Sequence, residues 1–153
     1  MKRHPKRFPN PRHCDRKGAA VVEFAIVLPL IALILLGSID VGQSIYVAQV
    51  VNEASREAAR QAARFDTTSE DVVRTTVRSF IRNNFAGMSD AAVDVSFTNS
   101  AGDPIASGDL SAISSGSALS VQVALLYDSV RWMPGIRFFG GRTFATSTIM
   151  RRE

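Results

Sequence analysis

From Ala19 to Ile39 the chain runs for 21 residues with a single charged side chain, Glu23. Wound as a helix, such a run extends roughly 31 Å, about the thickness of a bilayer's hydrocarbon core, so it is expected to span a membrane. Glu23 is the exception that needs a reason, because an ionised carboxylate deep in lipid costs on the order of 2.5 to 3.5 kcal/mol. It either snorkels to nearby headgroups or has a cationic partner. A cut between Gly18 and Ala19 creates that partner, since the new α-amine lies four residues before Glu23, one helical turn away, on the same chain or on a neighbour. Pro29 removes one backbone hydrogen bond inside the run but still permits a continuous membrane helix.

The formal charge of +4 invites a nucleic-acid reading until the charge is located. Residues 1–18 hold seven basic residues, Lys2, Arg3, Lys6, Arg7, Arg12, Arg16 and Lys17, against Asp15 alone, and no lysine occurs beyond them. Residues 19–153 hold 11 arginines against 13 acids, so no basic surface for nucleic acid is expected there. The basicity is topogenic: positive residues flanking a span stay in the cytoplasm, which places the C-terminal part outside. Residues 1–17, rich in proline and arginine, are expected to lack a fold of their own. The only cysteine, Cys14, precedes the apolar run, which excludes an intramolecular disulfide and argues against lipidation. His4, His13 and Cys14 lack a fourth metal ligand nearby. A secretory signal would be cut after its apolar core at a small-x-small site, and Leu36-Gly37-Ser38-Ile39-Asp40 matches that poorly.

The string Gly18-Ala19-Ala20-Val21-Val22-Glu23-Phe24-Ala25, with Leu28-Pro29-Leu30 after it, resembles the processing site of type IV prepilin-like proteins. More narrowly it resembles the TadE-like pseudopilins of tight-adherence (Flp) pilus systems, over residues 16–65. The resemblance implies a membrane-embedded prepilin peptidase that cuts between Gly18 and Ala19, with Phe24 completing the motif and Glu23 as the acid that aids assembly. It also implies partners: the peptidase, other pseudopilins, the major pilin and an inner-membrane assembly platform.

From Val41 the pattern turns amphipathic. Val47, Val50, Val51, Ala54, Ala58, Ala62 and Phe65 share one face, with Glu53, Arg56, Glu57, Arg60 and Arg64 on the other. Glu53–Arg56 and Glu57–Arg60 are expected i,i+3 ion pairs. Thr68-Ser69-Glu70-Asp71 signals a second helix, carried by Val72, Val73, Val77, Phe80 and Ile81 and ended by Asn83-Asn84-Phe85-Ala86-Gly87. Arg74, Arg78 and Arg82 form a row on it, expected to be a solvated face, with lipid headgroups or an acidic partner as the alternative. Beyond Gly87 the period becomes two: Val93, Val95 and Phe97, then Leu119, Val121, Val123, Leu125 and Tyr127, then Arg142 to Met150 predict three strands. Asn99 to Ser117 is expected to be an exposed loop, its Asp103 and Asp109 lacking the spacing of a calcium site. Trp132-Met133-Pro134-Gly135 and Phe138-Phe139-Gly140-Gly141 are expected to cover the sheet edge or to form an interaction patch.

The expected fold class is α+β: a long N-terminal transmembrane and amphipathic helix, a second shorter helix, and a small three-stranded antiparallel sheet. Its parts are a cleaved basic leader (1–18), a transmembrane helix (19–39), its amphipathic continuation (40–66) and a small extracytoplasmic domain (67–153). With no histidine after His13 and no Walker or dinucleotide motif, the chain is read as a non-enzyme without cofactor or metal. It is read as a substrate of the peptidase and a partner of membrane lipid, with no nucleic-acid or small-molecule ligand. The alternative is an uncleaved, signal-anchored envelope protein whose outer domain is a binding module.

Overall fold

The computed structural model describes residues 16–85, 92–99, 101–105, 108–131 and 139–153. Expectations placed on Met1 to Asp15, including His4, His13 and Cys14, on Ala86 and Gly87, and on Trp132 to Phe138 lie outside these residues. The first helix, α1, is a single element from Arg16 to Ala63 with Pro29 in its interior. The chain divides into two compact units between Leu36 and Gly37.

In the first unit the apolar run is uncovered among the described residues. Val22, Phe24, Ile26, Leu30, Leu33 and Ile34 all lie exposed on α1. That is the pattern of a helix whose solvent is itself apolar. By length and composition α1 is able to cross a membrane.

The second unit is a helix-on-sheet layer. Val47, Val50, Val51, Ala54, Ala58, Ala59 and Ala62 of α1 are buried in one core with the sheet. The alanines leave no bulk between helix backbone and strands. The second helix, α2 (Glu70–Asn84), starts where Ser69 Oγ accepts a hydrogen bond from the Asp71 N–H at 3.2 Å. Its Val73, Val77 and Ile81 complete the helical side of the core. The strands β1 (Val93–Thr98), β2 (Ala118–Leu126) and β3 (Thr143–Arg151) form an antiparallel sheet in the order β1-β2-β3. The register runs Val93↔Leu125 to Thr98↔Ser120 on one side of β2 and Ala118↔Arg151 to Leu126↔Thr143 on the other. Alternate residues Leu119, Val121, Val123 and Leu125 of the central strand are fully buried, as the period of two requires.

Four local expectations need correction. Phe65 does not join the apolar face: α1 ends at Ala63 and the ring is 78% exposed. The loop from Asn99 to Ser117 is not wholly exposed, because Leu110 in a short 3₁₀ turn is fully buried, and Ile105 and Ile113 pack against the core. Burial of these aliphatic side chains anchors the loop, together with backbone hydrogen bonds from Glu70 to Gly108 and from Leu110 to Thr68. The Glu57–Arg60 ion pair forms at 3.5 Å, whereas Glu53 and Arg56 form none. Arg74 leaves the solvated row: it pairs with Glu70 at 3.1 Å, donates to the Val95 carbonyl and lies over the Phe97 ring at 5.2 Å. Its partner Glu70, in the first turn of the second helix, is buried.

Candidate functional site on the N-terminal helix

Gly18, Ala19, Glu23 and Phe24 all lie in the first three turns of α1 and all are exposed. Helical phasing places Ala19 and Glu23 on one face, about 6 Å apart along the axis. The helix starts at Arg16, so the bond between Gly18 and Ala19 falls in the first turn, where backbone N–H groups have no helical partner. Nothing in the fold calls for glycine at position 18: a Cβ there meets no atom within 4 Å, and the φ angle is not positive. Glycine costs a helix about 1 kcal/mol relative to alanine. Its presence is therefore unexplained by packing.

Further along α1, in the second unit, polar anchors fix the helix to the domain. The Tyr127 hydroxyl donates to Asp40 Oδ1 at 2.8 Å and to the Asp40 carbonyl at 3.2 Å. Gln43 Nε2 donates to the Val130 carbonyl at 3.0 Å. Tyr46 meets Phe85 edge-on at 5.5 Å, and its hydroxyl reaches Asn84 at 3.3 Å. One turn beyond the core valines, Ser55 Oγ donates to the Val121 carbonyl at 3.3 Å and meets Thr148 Oγ1 at 2.8 Å. Burial and the Asp40 carboxylate push the Tyr127 phenol up to about 12. Ile39, Gly42, Gln43, Tyr46, Asn84, Phe85 and Val130 line an open hollow of about 590 Å³ beside these anchors.

Sequence reasoning missed Asp40 and Tyr127 as a pair. The available signal was the position of Asp40, the first acid after an apolar run, in a helix whose next turns are amphipathic. The loop acids serve structure: Asp109 accepts from the Ser111 N–H at 2.8 Å, and the Ser111 side chain, followed by that backbone bond, holds its carboxyl below the usual range. Among the described residues no cluster of three or more histidine, cysteine or acidic side chains is arranged to hold a metal.

Neither the curated proteins nor the solved structures give a match to this chain. A family model described as TadE-like protein matches residues 18–60, a segment that opens on Gly18, contains Glu23 and Phe24, and takes in the apolar run and most of the amphipathic part of α1. That family is structural and pilus-associated. Over residues 18–60, therefore, the chain is similar to the TadE-like family.

Proposed function

We propose that the chain is a minor pilin-like structural subunit, a pseudopilin, of a Flp or Tad-type pilus or a related secretion apparatus. A prepilin peptidase cuts it after Gly18 on the cytoplasmic side. The apolar part of α1 then holds it in the cytoplasmic membrane, with residues 67–153 on the outer face. Its partners are the peptidase, the inner-membrane platform, other pseudopilins, the major pilin and the surrounding lipid. Its role is to be assembled, not to catalyse.

The observation that carries this reading is that the family match begins at Gly18, a residue with no packing reason to be glycine, and continues through an apolar helix face that the chain leaves uncovered. Glu23 supplies the mechanism. In lipid its carboxylate is costly unless paired, and the α-amine of Ala19, released by the cut on the same chain or a neighbour, is one turn away. Pairing between neighbours favours one register of subunit against subunit. The Glu23→Ala variant is expected to insert in membranes at the normal level and to assemble poorly, read as pilus yield per inserted subunit. Normal assembly by that variant contradicts the proposed role of the acid.

A further inference from the structure

The two edges of the sheet are treated differently. On β1 the carbonyls of Val95 and Phe97 point away from β2 and both are occupied: Val95 accepts from the Arg74 guanidinium, and Phe97 accepts from the Ile105 N–H at 3.1 Å. Pro104, which has no N–H to offer, sits beside Thr98. Arg74 and Ile105 thus cover the middle of that edge.

Among the described residues nothing pairs with the outer edge of β3. The Tyr127 N–H donates to the Arg142 carbonyl at 2.9 Å, the Arg152 N–H donates to Ser117 at 3.0 Å, and the Arg152 carbonyl accepts from Gly116 at 2.8 Å. The even-numbered residues at both ends of β3 thus turn their backbone groups toward β2. In an antiparallel ladder both groups of a residue point to one side, and the side alternates along the strand. Thr143, Ala145, Ser147, Ile149 and Arg151 therefore turn N–H and C=O outward, and among the described residues these groups have no partner. None of the usual protections is present: the strand has no proline, no lysine and no break in register, its only charge is the terminal Arg151, and Ile149 is 69% exposed.

We propose that the outer edge of β3 is a docking strand that receives an extended segment of a different polypeptide as the fourth strand of the sheet. Backbone groups unpaired at every second residue over nine residues match one kind of ligand, another extended backbone. A second copy of this chain does not fit. The outward carbonyls of Val95 and Phe97 on its β1 edge are already taken by Arg74 and Ile105, and antiparallel pairing of β3 with β3 brings Arg142 of one copy toward Arg151 of the other, a contact of like charges. The chemistry of the partner follows from the flanks. Arg142 and Arg151 are exposed at either end of an otherwise uncharged strand, which favours an acid at each end of the segment. Phe144 and Met150, half-buried on the inner face, favour apolar side chains opposite them.

The test uses the full chain in nanodiscs and a nine-residue peptide of alternating threonine and valine with aspartate at each end. The peptide is expected to bind and to slow amide exchange at Ala145, Ser147, Ile149 and Arg151. A version N-methylated at alternate amides is expected not to bind. Ser147→Pro removes an outward N–H and no backbone bond to β2, losing besides only the exposed hydroxyl contact with Ser120 at 2.8 Å, so it is expected to keep the native circular dichroism and to weaken binding at least tenfold. Failure of the peptide to bind, or equal binding by Ser147→Pro or by the N-methylated peptide, overturns the proposal. So does a disulfide dimer of Ser147→Cys in a Cys14→Ser background, which makes a second copy the occupant. None of these readouts depends on cleavage after Gly18, so their failure is separable from failure of the pilin-like reading.

Discussion

The Tyr127 hydroxyl and Asp40 Oδ1 lie 2.8 Å apart in the core of the second unit, joining the end of β2 to the turn of α1 that follows the apolar run. Asp40 is only 7% exposed, and its second oxygen, Oδ2, is buried with no hydrogen-bond partner among the described residues. The tyrosine is thus the one side chain that satisfies the buried carboxylate. Tyr127→Phe is expected to destabilise the second unit by about 1.5 to 3 kcal/mol, as loss of a hydrogen bond to a charged group does. The denaturant midpoint of the full chain in detergent measures this. Wild-type stability in the phenylalanine variant contradicts the assignment.

The same contact sets a pH limit. The folded-state phenol of Tyr127 is raised to about 12, first by burial and then by Asp40. A raised pKa contributes stability that is fully present below the unfolded value near 10 and is lost as pH rises through about 12. In a Tyr46→Phe background Tyr127 is the sole tyrosine. Its ultraviolet titration is expected to have a midpoint near 12, or to coincide with unfolding. A midpoint near 10 in the folded protein contradicts the buried contact.

Ala58 is fully buried where α1 packs in the core with the sheet. Ala58→Leu is expected to cost about 1 to 3 kcal/mol by overpacking, whereas Arg60→Ala on the exposed face is expected to change stability by less than about 0.5 kcal/mol. Thermal unfolding of the two variants distinguishes the faces. Equal effects argue that the helix is rotated from the arrangement described.

The N-cap of α2 gives a local check. Ser69→Ala removes the acceptor for the Asp71 N–H, with an expected cost of about 0.5 to 2 kcal/mol. Ser69→Gly is expected to cost only a few tenths. Comparable losses for both substitutions place the effect elsewhere than in the cap.

The regular parts of this fold were legible because each obeys one period. Val47 to Ala62 at helical spacing, and Leu119 to Leu125 at a spacing of two, report burial directly. The Ser69 cap and the β1 and β2 strands follow from equally local signals. What was not legible depends on contacts distant in sequence. Arg74 looked like one of three equivalent surface arginines until β1 supplied Val95 and Phe97 as partners. Leu110 looked like part of a polar loop until the core gave it a place. Phe65 fits the helical period, but α1 stops two residues before it. Gly18, Ala19, Glu23 and Phe24 stand out in the sequence as a motif, and under the proposed function their meaning lies in recognition by other molecules and not in the chain's own packing. The pairing of Asp40 with Tyr127 spans 87 residues, so the position of Asp40 after the apolar run could mark the acid but not its partner.

The central claim is the cut between Gly18 and Ala19, and the most direct test is the N-terminal sequence and intact mass of the protein from native membranes, with and without an active prepilin peptidase. The account predicts a chain that starts at Ala19 only when the peptidase is active, and one that retains residues 1–18 when it is not. A chain that begins at Met1 in both samples contradicts it and leaves a signal-anchored domain.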